Sequence, residues 1–312
     1  MKWDDRLGRR IRLKDLHTLQ RVAELGSMAK ASQQLGLSQP AISKAIADLE
    51  RTVGATVLDR SSRGVELTSS GQLLVERTRV IFDEVRQGIS DIDSISDPTR
   101  GEVRIGTTEA LSAVASEIIN RLARKHPKIS YFVTVGHNDA LACELRERRI
   151  DVILTRWIKP LIAEDLVAKV LFESPVAVMA QRHHPLLRYK SLRLADLMTE
   201  RWAMAPLDSF PGGVVAQIFA RKKLALPAAI VTTASVYLRL NLLASGRFLS
   251  MLPLELIRHP SNRTWLRALN VDLGDSSAPI ALITIKKRAN SGAVRLFQEA
   301  SIEMCTGTDE VR

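Results

Sequence analysis

Between Leu13 and Leu25 the apolar residues Leu16, Leu19, Val22 and Ala23 recur at helical spacing, and Gly26 and Ser27 follow as a stop and a new N-cap. A second, short helix is predicted over Met28 to Leu35, ended by Gly36. A third starts after Ser38, whose hydroxyl can cap the amides of the first turn, and Pro40 falls in that turn, where its missing N–H costs nothing. This helix carries Ile42, Ile46, Leu49 and Val53 as far as Gly54. At about 100° per residue, those four side chains form one narrow stripe, the core face. Pro40, Ser43, Lys44, Ala47 and Arg51 lie opposite, with Gln39 at the exposed start. Small residues there permit close approach and polar ones supply hydrogen bonds, so the surface is suited to entering a groove.

Two short extended runs follow, Val57 to Asp59 and Val65 to Leu67, joined by Arg60, Ser61, Ser62, Arg63 and Gly64. They predict a hairpin with a basic tip, a wing suited to phosphates or a minor groove. Thr68 then opens a long helix to about Ser96, with Leu74, Ile81, Val85, Ile92 and Ile95 near a three-and-four spacing broken at Thr78 and Gly88. A stripe on so long a helix needs cover, from a second copy of the chain or from its own domain; the reading favours the second copy.

Asp97, Pro98, Thr99 and Arg100 break the helix. Beyond them strands are predicted at Val103 to Gly106, Ile129 to Val135 and Val152 to Leu154, with helices Val114 to Lys125 and Asn138 to Arg148 between them. A second group has strands near Val176 to Met179, Ile230 to Thr232 and Phe248 to Leu252, and helices near Gly213 to Lys223 and Val236 to Ala244. The strand Ile280 to Ile285 and a helix from Ser291 to Met304 close the pattern. Such alternation predicts two α/β lobes around a mostly parallel sheet.

Composition adds less than pattern. The net charge of +11 invites a nucleic-acid reading, but residues 1 to 65 carry +5, residues 66 to 98 carry −4 and residues 99 to 312 carry +10. Most of the excess therefore lies outside the helix-rich head, where it leans toward an anionic ligand. The 2 cysteines, Cys143 and Cys305, suggest a reducing compartment, and the charged start and the absence of a long apolar run predict a cytoplasmic protein with no membrane partner. No phosphate-cradling glycine loop, HExxH pattern or nucleophile elbow is present, so no catalytic residues and no cofactor are predicted. His183 and His184 are adjacent, a poor spacing for metal ligands, and no metal site is predicted.

The stretch Leu16 to Gly71 resembles the LysR-type transcriptional regulator family. The matching residues are Leu16, Val22, Ala23, Gly26, Ser27, Ala31 and Leu35, then SQPAISKAI (38 to 46) with Leu49, Glu50 and Gly54, then Arg60, Gly64, Val65, Leu67, Thr68 and Gly71. Ser32, Val57, Leu58 and Ser70 depart from the usual pattern as packing changes. The likeness continues more loosely through GEVRIG (101 to 106) and His184, Pro185 and Leu186.

The resemblance implies a winged helix-turn-helix DNA-binding domain over residues 10–67, with the helix-turn-helix at about 28–47. It further implies a linker and dimerisation helix over 68–97, and an α/β effector-binding domain over 98–312 with two lobes similar to type 2 periplasmic binding proteins. Gln39, Pro40, Ser43 and Lys44 would face base edges, and Ser38, Arg60 and Arg63 would hold the backbone or minor groove. Glutamine can pair with adenine and lysine with guanine in the major groove, although Lys44 is nearly as well suited to a phosphate and Arg63 also reads as a solvated hairpin tip.

The implied partners are double-stranded promoter DNA, a small-molecule effector, a second copy in a dimer or tetramer, and RNA polymerase as a further contact. In the C-terminal half, Thr107 and Thr108 precede a helix start that favours an anionic or hydroxylated ligand, and capping of that helix is the equal rival. Arg156 follows a strand's C-terminal end, where α/β sheets place ligands; a surface arginine is the alternative. The competing function is a cytoplasmic small-molecule-binding protein or enzyme of the same α/β fold without a regulatory role.

Overall fold

In a computed structural model the described residues are 10–61, 64–97, 100–156 and 164–306. The chain divides into two compact units, Met1–Ile89 and Ser90–Arg312. In the first, helices α1 (Leu13–Leu25), α2 (Met28–Leu35) and α3 (Gln39–Val53) surround a core of Leu16, Leu19, Val22, Ala31, Ile42 and Ile46. Ser27 Oγ accepts from Lys30 N and Ser38 Oγ from Ala41 N, both at 3.3 Å, so α2 and α3 are each capped by the serine that precedes them. Between these helices Gly36 takes a φ of 65°, and its N–H donates to the Ser32 carbonyl. A side chain there would be strained in the turn that sets α3 against α2.

Strands β1 (Leu58–Ser61) and β2 (Gly64–Leu67) form an antiparallel pair with Leu58 opposite Leu67. The hairpin starts one residue later than expected, because Val57 is held before it by its N–H donating to Glu50 Oε1 at 2.8 Å. Helix α4 (Ser69–Ser96) begins after Thr68, which serves as its cap: Thr68 Oγ1 accepts from Gly71 N at 3.0 Å and donates to the Thr56 carbonyl. Gly71 is required by close approach, since a Cβ would lie 2.0 Å from the Val57 carbonyl oxygen. Val75 joins the head's core and Leu74 and Phe82 pack on it, so the first turns of the long helix belong physically to the head.

The second unit has a larger sheet in the order β10 (Leu266–Ala268), β6 (Leu166–Gln181), β11 (Ser277–Ile285), β5 (Val152–Arg156), β3 (Gly101–Thr107) and β4 (Ile129–Val135), with β9 (Ser250–Pro253) also on β6. Its first core encloses β3 (Gly101–Thr107), α5 (Ser112–Lys125), β4 (Ile129–Val135) and β5 (Val152–Arg156), with Val103, Ile105, Ile118, Leu154 and Phe297 buried together. Helix α6 (Asn138–Arg146) covers the same sheet through Leu141 and Leu145. Strand β6 (Leu166–Gln181) is far longer than the Val176 to Met179 segment expected from the sequence. Its first half pairs with β11 (Ser277–Ile285), and its second half with β9 (Ser250–Pro253) and β10 (Leu266–Ala268).

A second core gathers Val178, Trp202, Ile218, Phe219 and Leu249 from β6, β7 (Trp202–Met204), α7 (Phe210–Arg221) and neighbouring loops. Strand β8 (Ala229–Thr232) pairs with β7, helix α8 (Val236–Ala244) packs near β6, and the short α9 (Glu255–Arg258) and long α10 (Gly292–Thr306) complete the unit. Two lobes thus share one strand. The expectation of a mostly parallel sheet is corrected: β3 is parallel to β4 and β5, but β11 is antiparallel to β5 and β6, and β6 is antiparallel to β9 and β10. Among the described residues no helix is long and apolar enough to cross a membrane.

Candidate functional site

The buried stripe of α3, Ile42, Ile46 and Leu49, leaves the start and one face of the helix outward. Gln39, Pro40 and Lys44 are exposed there. Ser43 is half-buried, and its hydroxyl donates to Met28 Sδ at 3.5 Å, so it must leave a sulfur contact to reach a base. Ser38 uses its oxygen as an acceptor for the Ala41 N–H, which leaves the hydroxyl proton to donate outward. Arg51, on the same side as Lys44, pairs with Asp48 at 3.1 Å. Arg60 lies in β1, with its side chain outside the described residues; Arg63 is outside them entirely.

Within the second unit a cavity of about 1060 Å³ opens between the lobes, large enough for a small metabolite. Thr108, Thr155 and Arg156 line it from the β3–β5 side, and Ser209, Arg239 and Met251 from the other. Thr107 is not among its lining residues. Its side chain is fully buried and its Oγ1 donates to the Leu154 carbonyl at 3.0 Å, tying β3 to β5 behind the cavity wall. The expectation of a Thr107 contact with ligand is therefore corrected, and of the two adjacent threonines it is Thr108, whose side chain makes no capping hydrogen bond, that lines the space.

Two helix starts at the cavity, those of α7 and α8, are served by the protein's own groups, whereas that of α6 has no side-chain cap at His137. Ser209 Oγ accepts from Gly212 N at the start of α7. At α8, Glu109 reaches from its 3-10 turn (Glu109–Leu111) to accept from Ser235 Oγ at 3.1 Å, Val236 N at 2.9 Å and Tyr237 N at 2.7 Å. A carboxylate at a helix N-terminus satisfies free amides and interacts favourably with the helix dipole. The anion at this helix start is the chain's own side chain.

Arg156 is 9% exposed, and its Nη2 donates to the Ser174 carbonyl at 2.9 Å and to Ser174 Oγ at 2.5 Å. Ser174 Oγ in turn donates to Glu255 Oε2. Arg239 is 3% exposed, with one long bond from Nη1 to the Met251 carbonyl at 3.4 Å. The Nε of each arginine is buried and has no hydrogen-bond partner among the described residues. Burial disfavours both charges: it lowers the Arg156 pKa against the pull of Glu255 and Glu173, and it brings Arg239 down to about 10 against the pull of Glu109.

Sequence reasoning placed Arg156 and missed Arg239. The available signal was a single arginine in VYLRLNLLA, a helix with no other charged residue. The reach of Glu109 to α8 had no local signal, because its partners lie more than a hundred residues away.

The family model described as "LysR substrate binding domain" matches residues 96–306, and that described as "Bacterial regulatory helix-turn-helix protein, lysR family" matches residues 13–72. The HTH-type transcriptional regulator GbpR of Azospirillum brasilense is 28% identical over 76% of this chain and 70% of its own length. Among solved structures, a full-length OxyR from Pseudomonas aeruginosa superposes with a TM-score of 0.67 at 19% identity, covering 95% of this chain and 96% of that one. Full-length CbnR complexed with its target DNA gives a TM-score of 0.53 at 20% identity over 93% of this chain and 100% of that one.

Proposed function

Because the chain belongs to the LysR family of transcriptional regulators, we propose that it reads promoter DNA through α3 under the control of a small-molecule effector bound between the lobes of its second unit. Gln39, Pro40, Ser43 and Lys44 face base edges, while Ser38, Arg60 and Arg63 hold the backbone or minor groove. Thr108 and Arg156 contact the effector. Residues 10–67 act as the reading head, 68–97 as the linker and 98–312 as the effector domain, in a dimer or tetramer that works in the cytoplasm. No catalytic step is assigned to the cavity.

The observation that carries this reading is the division of α3 into a fully buried stripe and an exposed start bearing Gln39, Pro40 and Lys44. A helix built this way can enter the major groove without losing its packing. The test is retardation and footprinting of the DNA upstream of its own gene at fixed salt. Gln39→Ala should reduce discrimination between operator and random DNA by about 1–3 kcal/mol while nonspecific binding stays close to wild type. Unchanged discrimination would remove Gln39 from the reading role, and absence of any retardation would remove the regulatory one.

Self-association is supported by α4, where Ile81, Val85, Ile89 and Ile92 remain exposed on a helix whose Leu74, Val75 and Phe82 pack on the head. Leu74 belongs to that packed part and so leaves the stripe expected to meet a second copy.

A further inference from the structure

We propose that the effector is a small organic dianion, one of whose acidic groups is taken by Arg156 and the other by Arg239. This rests on the reading of the cavity as the effector site and adds the ligand's chemistry.

The two guanidinium groups come from opposite lobes, Arg156 from the end of β5 and Arg239 from α8, and both line the same cavity. Neither is placed as a structural ion pair would place it. Arg156 spends Nη2 on Ser174 and Arg239 spends Nη1 on a long bond to Met251, and the buried Nε of each has no partner among the described residues. A buried donor without an acceptor carries its full desolvation penalty, and a buried guanidinium more so. The two Nε atoms are closed off from the cavity, so an anionic ligand would be met by Arg156 Nη1 and Arg239 Nη2, which make no hydrogen bond among the described residues, and acidic groups are the acceptors that guanidinium donors favour.

The neighbouring carboxylates do not fill that role. Both oxygens of Glu109 are engaged by donors at the start of α8, and Glu255 takes the Ser174 hydroxyl. Asp139 and Asp208 sit exposed in the cavity wall, and Arg146 is paired with Asp165 at 2.8 Å. Of the three arginines that line the cavity among the described residues, the two short of acceptors are the buried ones, Arg156 and Arg239. A ligand that holds both would also join the lobes, so its binding is coupled to their closure.

The test is calorimetric and thermal-shift titration of the full chain with linear dicarboxylates from malonate to suberate, benzene dicarboxylates and phosphorylated hydroxy acids. Each is compared with its monoanionic analogue at equal ionic strength. The expected result is that at least one dianion binds and raises the melting temperature, and that its monoanionic analogue binds about tenfold or more weakly. Arg156→Met and Arg239→Met should each bring the dianion down to the monoanion level.

Ligand-free Arg239→Met should melt no lower than wild type, because it removes a buried charge that lacks acceptors. Arg239→Lys keeps the charge but lacks the planar guanidinium and its Nη2 donors, and should fold and lose affinity. No binding by any dianion, parity between dianions and monoanions, or arginine variants that bind as wild type would each overturn the proposal. DNA retardation by the same preparations separates the two claims: retained DNA binding with failed dianion binding removes the ligand class alone, and loss of DNA binding by the wild type removes the regulatory reading.

Discussion

Replacing Glu109 by alanine should unfasten the start of helix α8 and leave a vacancy that an added anion can refill. In the native chain its carboxylate accepts from Ser235 Oγ, Val236 N and Tyr237 N at 3.1, 2.9 and 2.7 Å. Loss of a helix cap costs about 1–2 kcal/mol, and loss of a negative charge at a helix N-terminus about 0.3–1 kcal/mol more. Val236 lines the cavity and Tyr237 is exposed, so the vacated amides lie within reach of water and the penalty for a dry unsatisfied donor does not apply in full. The net cost should be about 2 kcal/mol. For a unit of this size that corresponds to a fall of about 4–8 °C in melting temperature.

Differential scanning calorimetry of the full chain reads that fall directly in the transition of the second unit. Acetate, titrated at constant ionic strength, should restore part of it in Glu109→Ala and do less for wild type, because a helix start with free amides is an anion site. Glu109→Gln keeps one acceptor oxygen and should lose about half as much. A variant that melts with wild type, or a loss that acetate leaves untouched, would refute the account of Glu109 as a cap.

Asp151 is fully buried, with Oδ1 accepting from Arg104 Nη2 at 2.8 Å and Arg288 Nη2 at 2.7 Å, so Asp151→Ala should cost about 3–5 kcal/mol in urea unfolding; a loss below about 1 kcal/mol contradicts the network's role. Burial lowers the pKa of His184 from its usual 6.5, and its Nδ1 accepts from Leu186 N, so the native state prefers the neutral ring. Its contribution to stability is present above pH 6.5 and lost as pH falls through the lower folded value, since the unfolded chain takes up the proton first; His184→Asn should flatten that decline in acid melts. Ile92, 65% exposed on α4, should be needed for self-association, and Ile92→Lys should shift the sedimentation profile toward monomer without lowering the head's melting temperature.

The head was legible because its signals are local. Helices α1 and α2 take the bounds that their periodicity and punctuation predicted, since Gly26, Ser27 and Gly36 act within a turn of where they stand. Helix α8 is equally plain, from Val236 after the capping Ser235 to Ala244. Strands defined by distant partners were harder. Leu166 to Glu173 alternates only weakly because both halves of β6 depend on strands that arrive much later, and Trp202 to Met204 is too short and too thoroughly buried to show a period. The antiparallel setting of β11 left no trace in its composition: a run such as Ile280 to Ile285 reads as a buried strand in either direction. At the cavity, proximity to a strand end revealed Arg156, whereas Arg239 depends on the fold to bring a helix from the other lobe against the same space.

The position of β11 fixes an order of events during synthesis. This strand lies between β5 and β6, yet it leaves the ribosome after every residue of the second lobe. Until Ser277–Ile285 emerges, β5 and the first half of β6 each present an open edge, and the strand that joins them is missing. The cores of the second lobe contain no residue of this strand, so they can gather before it emerges, whereas the first lobe cannot be completed without it. A nascent chain halted before Ser277 would therefore expose two adhesive strands at once, which places the demand for chaperone protection late in translation.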